Sequence, residues 1–109
     1  MSSDGAKLVR AAAAGNDAKV KRLLKAKADV DAVVRDEEGL TGVTALQEAS
    51  WYGHMGAVQL LLKAKATVDL CDAMGMSALY GTTQNGHLSC ARLLLDAKAT
   101  VDLPNKNQR

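Results

Sequence analysis

The chain has 109 residues, room for one domain that buries roughly two-thirds of its unfolded surface. Apolar residues make up 48%, yet only Trp51, Tyr52 and Tyr80 are aromatic and Phe is absent, so the interior must be built from Leu, Val, Met and Ala, small enough for helices to approach closely. Fourteen basic and twelve acidic residues are interleaved and leave a formal charge of +2, without the one-signed field that nucleic acid or an anionic membrane surface attracts.

In chain order, the first apolar stripe is Val20, Leu23 and Leu24, at i, i+3, i+4, the spacing of a helix with one buried face. Directly after it comes Lys25-Ala26-Lys27-Ala28-Asp29-Val30-Asp31-Ala32, which returns as Lys63 to Leu70 and again as Asp96 to Leu103. The chain is therefore an internal repeat, and units of this size bury their apolar faces only against one another. Next, Thr44-Ala45-Leu46-Gln47 has the spacing of a capping box, which starts a short helix. That helix ends near Tyr52, because Gly53 is free to take the left-handed conformation. A second helix is predicted from about His54 to Ala64, with Val58, Leu61 and Leu62 as its stripe. Thr67-Val68-Asp69 and the region of Gly75 suit an extended stretch leading into a tight turn. The last stripe is Ala91, Leu94 and Leu95, with Cys90 and Leu93 beside it.

A 33-residue offset lays Gly75, Ser77, Ala78, Leu79, Gly86-His87 and Leu94-Leu95 on Gly42, Thr44, Ala45, Leu46, Gly53-His54 and Leu61-Leu62. A 38-residue offset lays Leu8, Gly15 and Leu23-Leu24 on Leu46, Gly53 and Leu61-Leu62. The five extra residues fall between Val33 and Thr41 and predict a finger that protrudes further than its counterpart. This gives one domain over residues 1–109, with units at 1–32, 33–70 and 71–103 and a polar tail at 104–109.

Cys71 and Cys90 lack a Cys-x-x-Cys spacing, and the opening Met1-Ser2-Ser3-Asp4-Gly5 carries no apolar signal segment, so a reducing compartment, cytosol or nucleus, is expected. Apolar runs stay far below the roughly 20 residues needed to cross a bilayer. A zinc site from His54, His87, Cys71 and Cys90 would have only His87-x-x-Cys90 as a close pair, and no metal is expected. Cys90 falls on the inward side of its helix, and Cys71, near a turn, is open to solvent. There is no Gly-x-Ser-x-Gly elbow, phosphate-cradling loop or poised carboxylate pair, so neither enzymatic activity nor a cofactor is expected. Asp17, Glu48 and Asp72 read as helix start, helix surface and turn.

A unit of turn, short helix, Gly-His, second helix and Ala-Asp/Thr-Val-Asp at this period resembles an ankyrin repeat, whose usual opening is Thr-Pro-Leu-His-x-Ala. Thr44-Ala45-Leu46-Gln47-Glu48-Ala49 and Ser77-Ala78-Leu79-Tyr80 stand in that place, and the resemblance runs from about Lys7 to Leu103. It implies an all-α solenoid of stacked antiparallel helix pairs with β-hairpin-like turns. Ala45 and Ala78 replace the family's Pro, which gives up a preset φ. Lys27, Lys65 and Lys98 replace the Gly that usually closes the second helix, and a left-handed conformation there costs on the order of 1 kcal/mol. His54 and His87 take the place of a structural His that bonds to loop backbone.

The resemblance also implies protein binding through a concave strip and the turn tips. Carried over, that strip contains Trp51, Tyr52, Gln84 and Asn85 with the turn residues Leu40, Val43, Ala73, Met74 and Met76. Trp51 and Tyr52 are the expected anchors; the alternative is that Trp51 lies over the neighbouring repeat and only Tyr52 is wet. The finger from Arg35 to Gly42 supplies specificity, and its Asp36, Glu37 and Glu38 either select a basic partner or are simply solvated. The lysine column has acidic neighbours, which favours a turn role. A second class of function is structural: a fragment of a longer array, or an engineered scaffold. The last unit, which carries Leu93, Leu94 and Leu95 like an interior one although terminal repeats act as caps, suggests weak self-association of an otherwise monomeric chain. The unequal junctions and the two cysteines argue against a pure consensus design. No nucleic-acid or membrane partner is expected.

Overall fold

A computed structural model describes residues 4–35, 42–71 and 77–97. Along them run α1 (Asp4–Ala14), α2 (Asp17–Lys25), β1 (Val34–Arg35), β2 (Gly42–Val43), α3 (Ala45–Tyr52), α4 (Met55–Lys63), α5 (Ala78–Gln84) and α6 (Leu88–Asp96). Helices α2, α3 and α5 start where short polar side chains satisfy free backbone N–H groups, whereas α4 and α6 start at His54 and His87 without a side-chain cap. Asn16 accepts from the Lys19 N–H at 3.2 Å, Ser77 from the Tyr80 N–H at 3.2 Å, and Thr44 from the Gln47 N–H at 3.2 Å. Gln47 completes the predicted capping box, because its Oε1 accepts from the Thr44 N–H at 2.8 Å.

Each first helix and each of α2 and α4 ends in the same double closure. After α4, the Lys65 N–H donates to Leu62 and the Ala66 N–H to Leu61, both at 3.0 Å; after α3, the Gly53 and His54 N–H groups donate to Ser50 and Ala49. The pivot residue must be left-handed, and Lys27 (φ 68°), Lys65 (φ 70°) and Gly53 (φ 76°) all are. What separates Lys from Gly here is space. Lys27 and Lys65 are exposed, whereas the imidazole of the following unit lies against Gly15 and Gly53. Lys98, the third of the column, lies outside the described residues. Lys65→Gly therefore raises stability by about 0.5–1 kcal/mol, the relief of the Cβ strain less the extra freedom that glycine gives the unfolded chain. Urea denaturation of the variant beside the parent measures it.

The helices pack as two rows, α1 on α3 on α5 and α2 on α4 on α6, and within each pair the helices also pack on one another. One continuous core joins the rows. Leu8, Val20, Val58, Leu61 and Leu94 are completely buried and Leu46 is nearly so, each contributing roughly 1.5–3 kcal/mol by leaving water. Between them lie Ala12, Ala45, Ala49, Ala57 and Ala78, so the helices approach closely without large side chains. The predicted stripes hold at their first two positions, while the i+4 leucines Leu24 and Leu62 are only half-buried. Leu95, their counterpart in α6, is 44% exposed.

At the first junction β1 and β2 pair antiparallel, Val34 opposite Val43 and Arg35 opposite Gly42, and the next junction keeps an antiparallel bridge between Cys71 and Ser77. Polar groups then tie unit to unit. The Asp31 carboxylate accepts from the Thr67 N–H at 2.8 Å and from its hydroxyl at 2.5 Å, and within the middle unit Gln47 Nε2 donates to the Leu70 carbonyl at 2.8 Å. Stacking is thus fixed by directed bonds as well as by apolar burial.

Candidate functional site

On α3, the buried residues are Ala45, Leu46, Gln47, Ala49 and Ser50, which leaves Glu48, Trp51 and Tyr52 at i, i+3, i+4 toward the other side. Trp51 is 41% and Tyr52 53% exposed. Their rotation is fixed by the capping box at one end of the helix and by the left-handed Gly53 at the other.

The expected alternatives for Trp51 are reconciled by Gly81. That glycine in α5 stands at the place of Glu48 in α3, and a Cβ on it would lie 3.4 Å from Trp51 Cε3. The indole therefore rests across the neighbouring helix and is held there, yet keeps a large wet surface. Both aromatic side chains are wet. The Tyr52 ring is loosely stacked on His54, centroids 6.2 Å apart and planes 30° from parallel.

Gln84 and Asn85 are exposed at the end of α5. Asn85 Nδ2 donates to the Trp51 carbonyl at 2.7 Å, so its amide braces the end of α3. Arg35 is exposed and Val43 half-buried where β1 and β2 pair, and Arg35 lines a cleft together with Gln47. Asp36, Glu37, Glu38 and Leu40 in the finger, and Ala73, Met74 and Met76 in the next turn, lie outside the described residues.

Glu48 is the side chain that sequence reasoning undervalued. It is half-buried rather than simply on the surface, and burial pushes its carboxyl above the ordinary glutamate value. The signal in the sequence was the Glu48-x-x-Trp51-Tyr52 spacing; the desolvation depends on what neighbouring helices bring up, which spacing does not report.

The histidines serve the stack. His54 Nε2 donates to the Ala13 carbonyl at 3.1 Å, bonding one unit to the one before it, and His87 lies over Gly53 as His54 lies over Gly15. Cys90 is buried, which pushes its thiol pKa up, while Cys71 is exposed with its thiol donating to the Asp69 carbonyl at 3.6 Å. Among the described residues no three His, Cys, Asp or Glu side chains come together as a metal would require. No helix among them is long and apolar enough to cross a membrane.

The family model of ankyrin repeats, in three copies, matches residues 8–106, nearly the whole chain. No curated protein gives a significant match.

Proposed function

Because the chain belongs to the ankyrin repeat family, whose repeats generally serve as protein–protein interaction modules and are typically non-enzymatic, we propose that it binds a protein or peptide through the outward side of α3 and α5 and the adjoining turns. The observation that carries this reading is the pair Trp51 and Tyr52, adjacent, 41% and 53% exposed, and held on a helix capped at both ends. Large aromatic side chains on a rigid support lose little freedom on binding, which is why they dominate interfaces. Gln84 and Arg35 supply a polar margin, Val43 adds an apolar contact at the hairpin, and Asp36, Glu37, Glu38, Leu40, Ala73, Met74 and Met76 complete the proposed surface.

Trp51→Ala together with Tyr52→Ala is expected to weaken capture of a partner by about 30-fold or more, the equivalent of one strong anchor, with the far-ultraviolet circular dichroism of the chain unchanged. Affinity capture with the parent chain and the double variant side by side reads the difference. A partner held equally by both would overturn the assignment, and a variant that loses its helical spectrum would place the pair in the core instead.

A second reading, a structural piece within a longer stack, draws on Leu95 and Leu88, 44% and 74% exposed on α6. At the place of Leu95, Leu24 and Leu62 are half-buried against the core. A further helix pair would cover that face.

A further inference from the structure

We infer that the partner presents an arginine to α3, its guanidinium lying on the Trp51 indole and pairing with the Glu48 carboxylate. The inference rests on the binding surface proposed above and adds to it the chemistry of the central contact. Three observations carry it. Glu48 and Trp51 are one helical turn apart on the same outward side, and their separation is fixed by the capped helix. The indole lies on Gly81 of α5, where a Cβ would come within 3.4 Å of Trp51 Cε3, and at 41% exposure the rest of its surface stays open to a partner. Arg10, at the matching place on α1, is exposed, Glu48 forms no ion pair among the described residues, and burial raises its carboxyl.

A half-buried carboxylate beside an open aromatic side chain is complementary to a flat cation. Guanidinium meets both demands at once, stacking on the indole while its edge N–H groups donate to the carboxylate. An ammonium group can reach one or the other, but its stronger hydration makes it the poorer fit. A carboxylate in a partner would meet repulsion here, and a purely apolar residue would bury Glu48 without a counter-charge.

Trp51 is the single tryptophan of the chain, so its fluorescence reports this site alone. The probes are an end-blocked Gly-Arg-Gly peptide, the same peptide with lysine, and the same peptide with citrulline, which keeps the shape of arginine without its charge. At constant ionic strength the arginine peptide is expected to give a saturable change, the lysine peptide a weaker one and the citrulline peptide none. Glu48→Gln weakens the arginine response by about tenfold, while Glu48→Asp, which keeps the charge, retains most of it. In the unmodified chain, shifts of the Glu48 amide and the Trp51 indole resonances report the same contact without any substitution. Absence of saturation, an equal response to citrulline, or an unaltered affinity in Glu48→Gln would overturn the inference. A partner that is lost with the Trp51/Tyr52 double variant but kept by Glu48→Gln would leave the binding surface standing and remove only the arginine.

Discussion

Gly53→Ala is expected to destabilise the protein by about 2–4 kcal/mol, against about 1 kcal/mol for Gly86→Ala. Both glycines close a first helix in the left-handed region, at φ 76° and 72°, so both substitutions meet the same backbone strain. They differ in what the new methyl group would touch. At Gly53 a Cβ would lie 2.6 Å from His87 Nδ1 and 2.7 Å from its Cε1, far inside contact distance, whereas at Gly86 nothing stands within 4 Å. The imidazole would have to leave its seat between two units, and overpacking of this kind costs roughly 1–3 kcal/mol beyond the strain. A Cβ at Gly15 would lie 2.7 Å from His54 Nδ1, so Gly15 should behave like Gly53. Thermal unfolding followed by circular dichroism separates the cases, since each kcal/mol moves the midpoint by roughly 4 °C in a chain of this length. Equal losses at Gly53 and Gly86 would show that strain acts alone and that the His contact is inessential.

Leu61→Ala should cost about 3–5 kcal/mol, a large part of the whole stability of a domain this small. Leu61 is completely buried in α4, the outer helix of the central pair, and that pair supplies both interfaces of the stack. A cavity there weakens contacts to α2 and α6 together, and in a linear array stability is the sum of unit and interface contributions. The variant is therefore expected to broaden its urea transition as well as shift it, because the outer pairs no longer unfold through a common centre. Leu95→Ala is the control. Its side chain is 44% exposed, and its removal should cost less than about 1 kcal/mol. A cost at Leu61 as small as at Leu95 would mean that the stack relaxes around the gap.

The two results bear on binding as well. Gly53 ends the helix whose last two residues are Trp51 and Tyr52, and the His87 that leans on it belongs to the unit carrying Gly81 and Asn85, which touch Trp51. The junction that sets stability therefore also sets where Trp51 and Tyr52 stand. Displacing His87 should loosen both.

By itself the sequence determined the repeat and its local grammar. Period, caps and stripes follow from steric and hydrogen-bonding rules that act within a few residues, so Thr44 with Gln47, the left-handed Gly53 and the buried Cys90 are legible in the sequence, while for Lys27 and Lys65 the family resemblance raises a left-handed conformation that only the coordinates establish. Copying the pattern from unit to unit then implied stacking, because no single pair could bury its stripe alone. The tertiary structure alone decided which side chains of neighbouring units meet. That Trp51 rests on Gly81, that Asn85 braces the Trp51 carbonyl, and that Glu48 is desolvated are contacts between residues about 30 apart or between whole helices. Their distances depend on how closely alanine-lined helices approach and how far each unit is turned against the last, a balance of packing over the entire stack that no short spacing encodes.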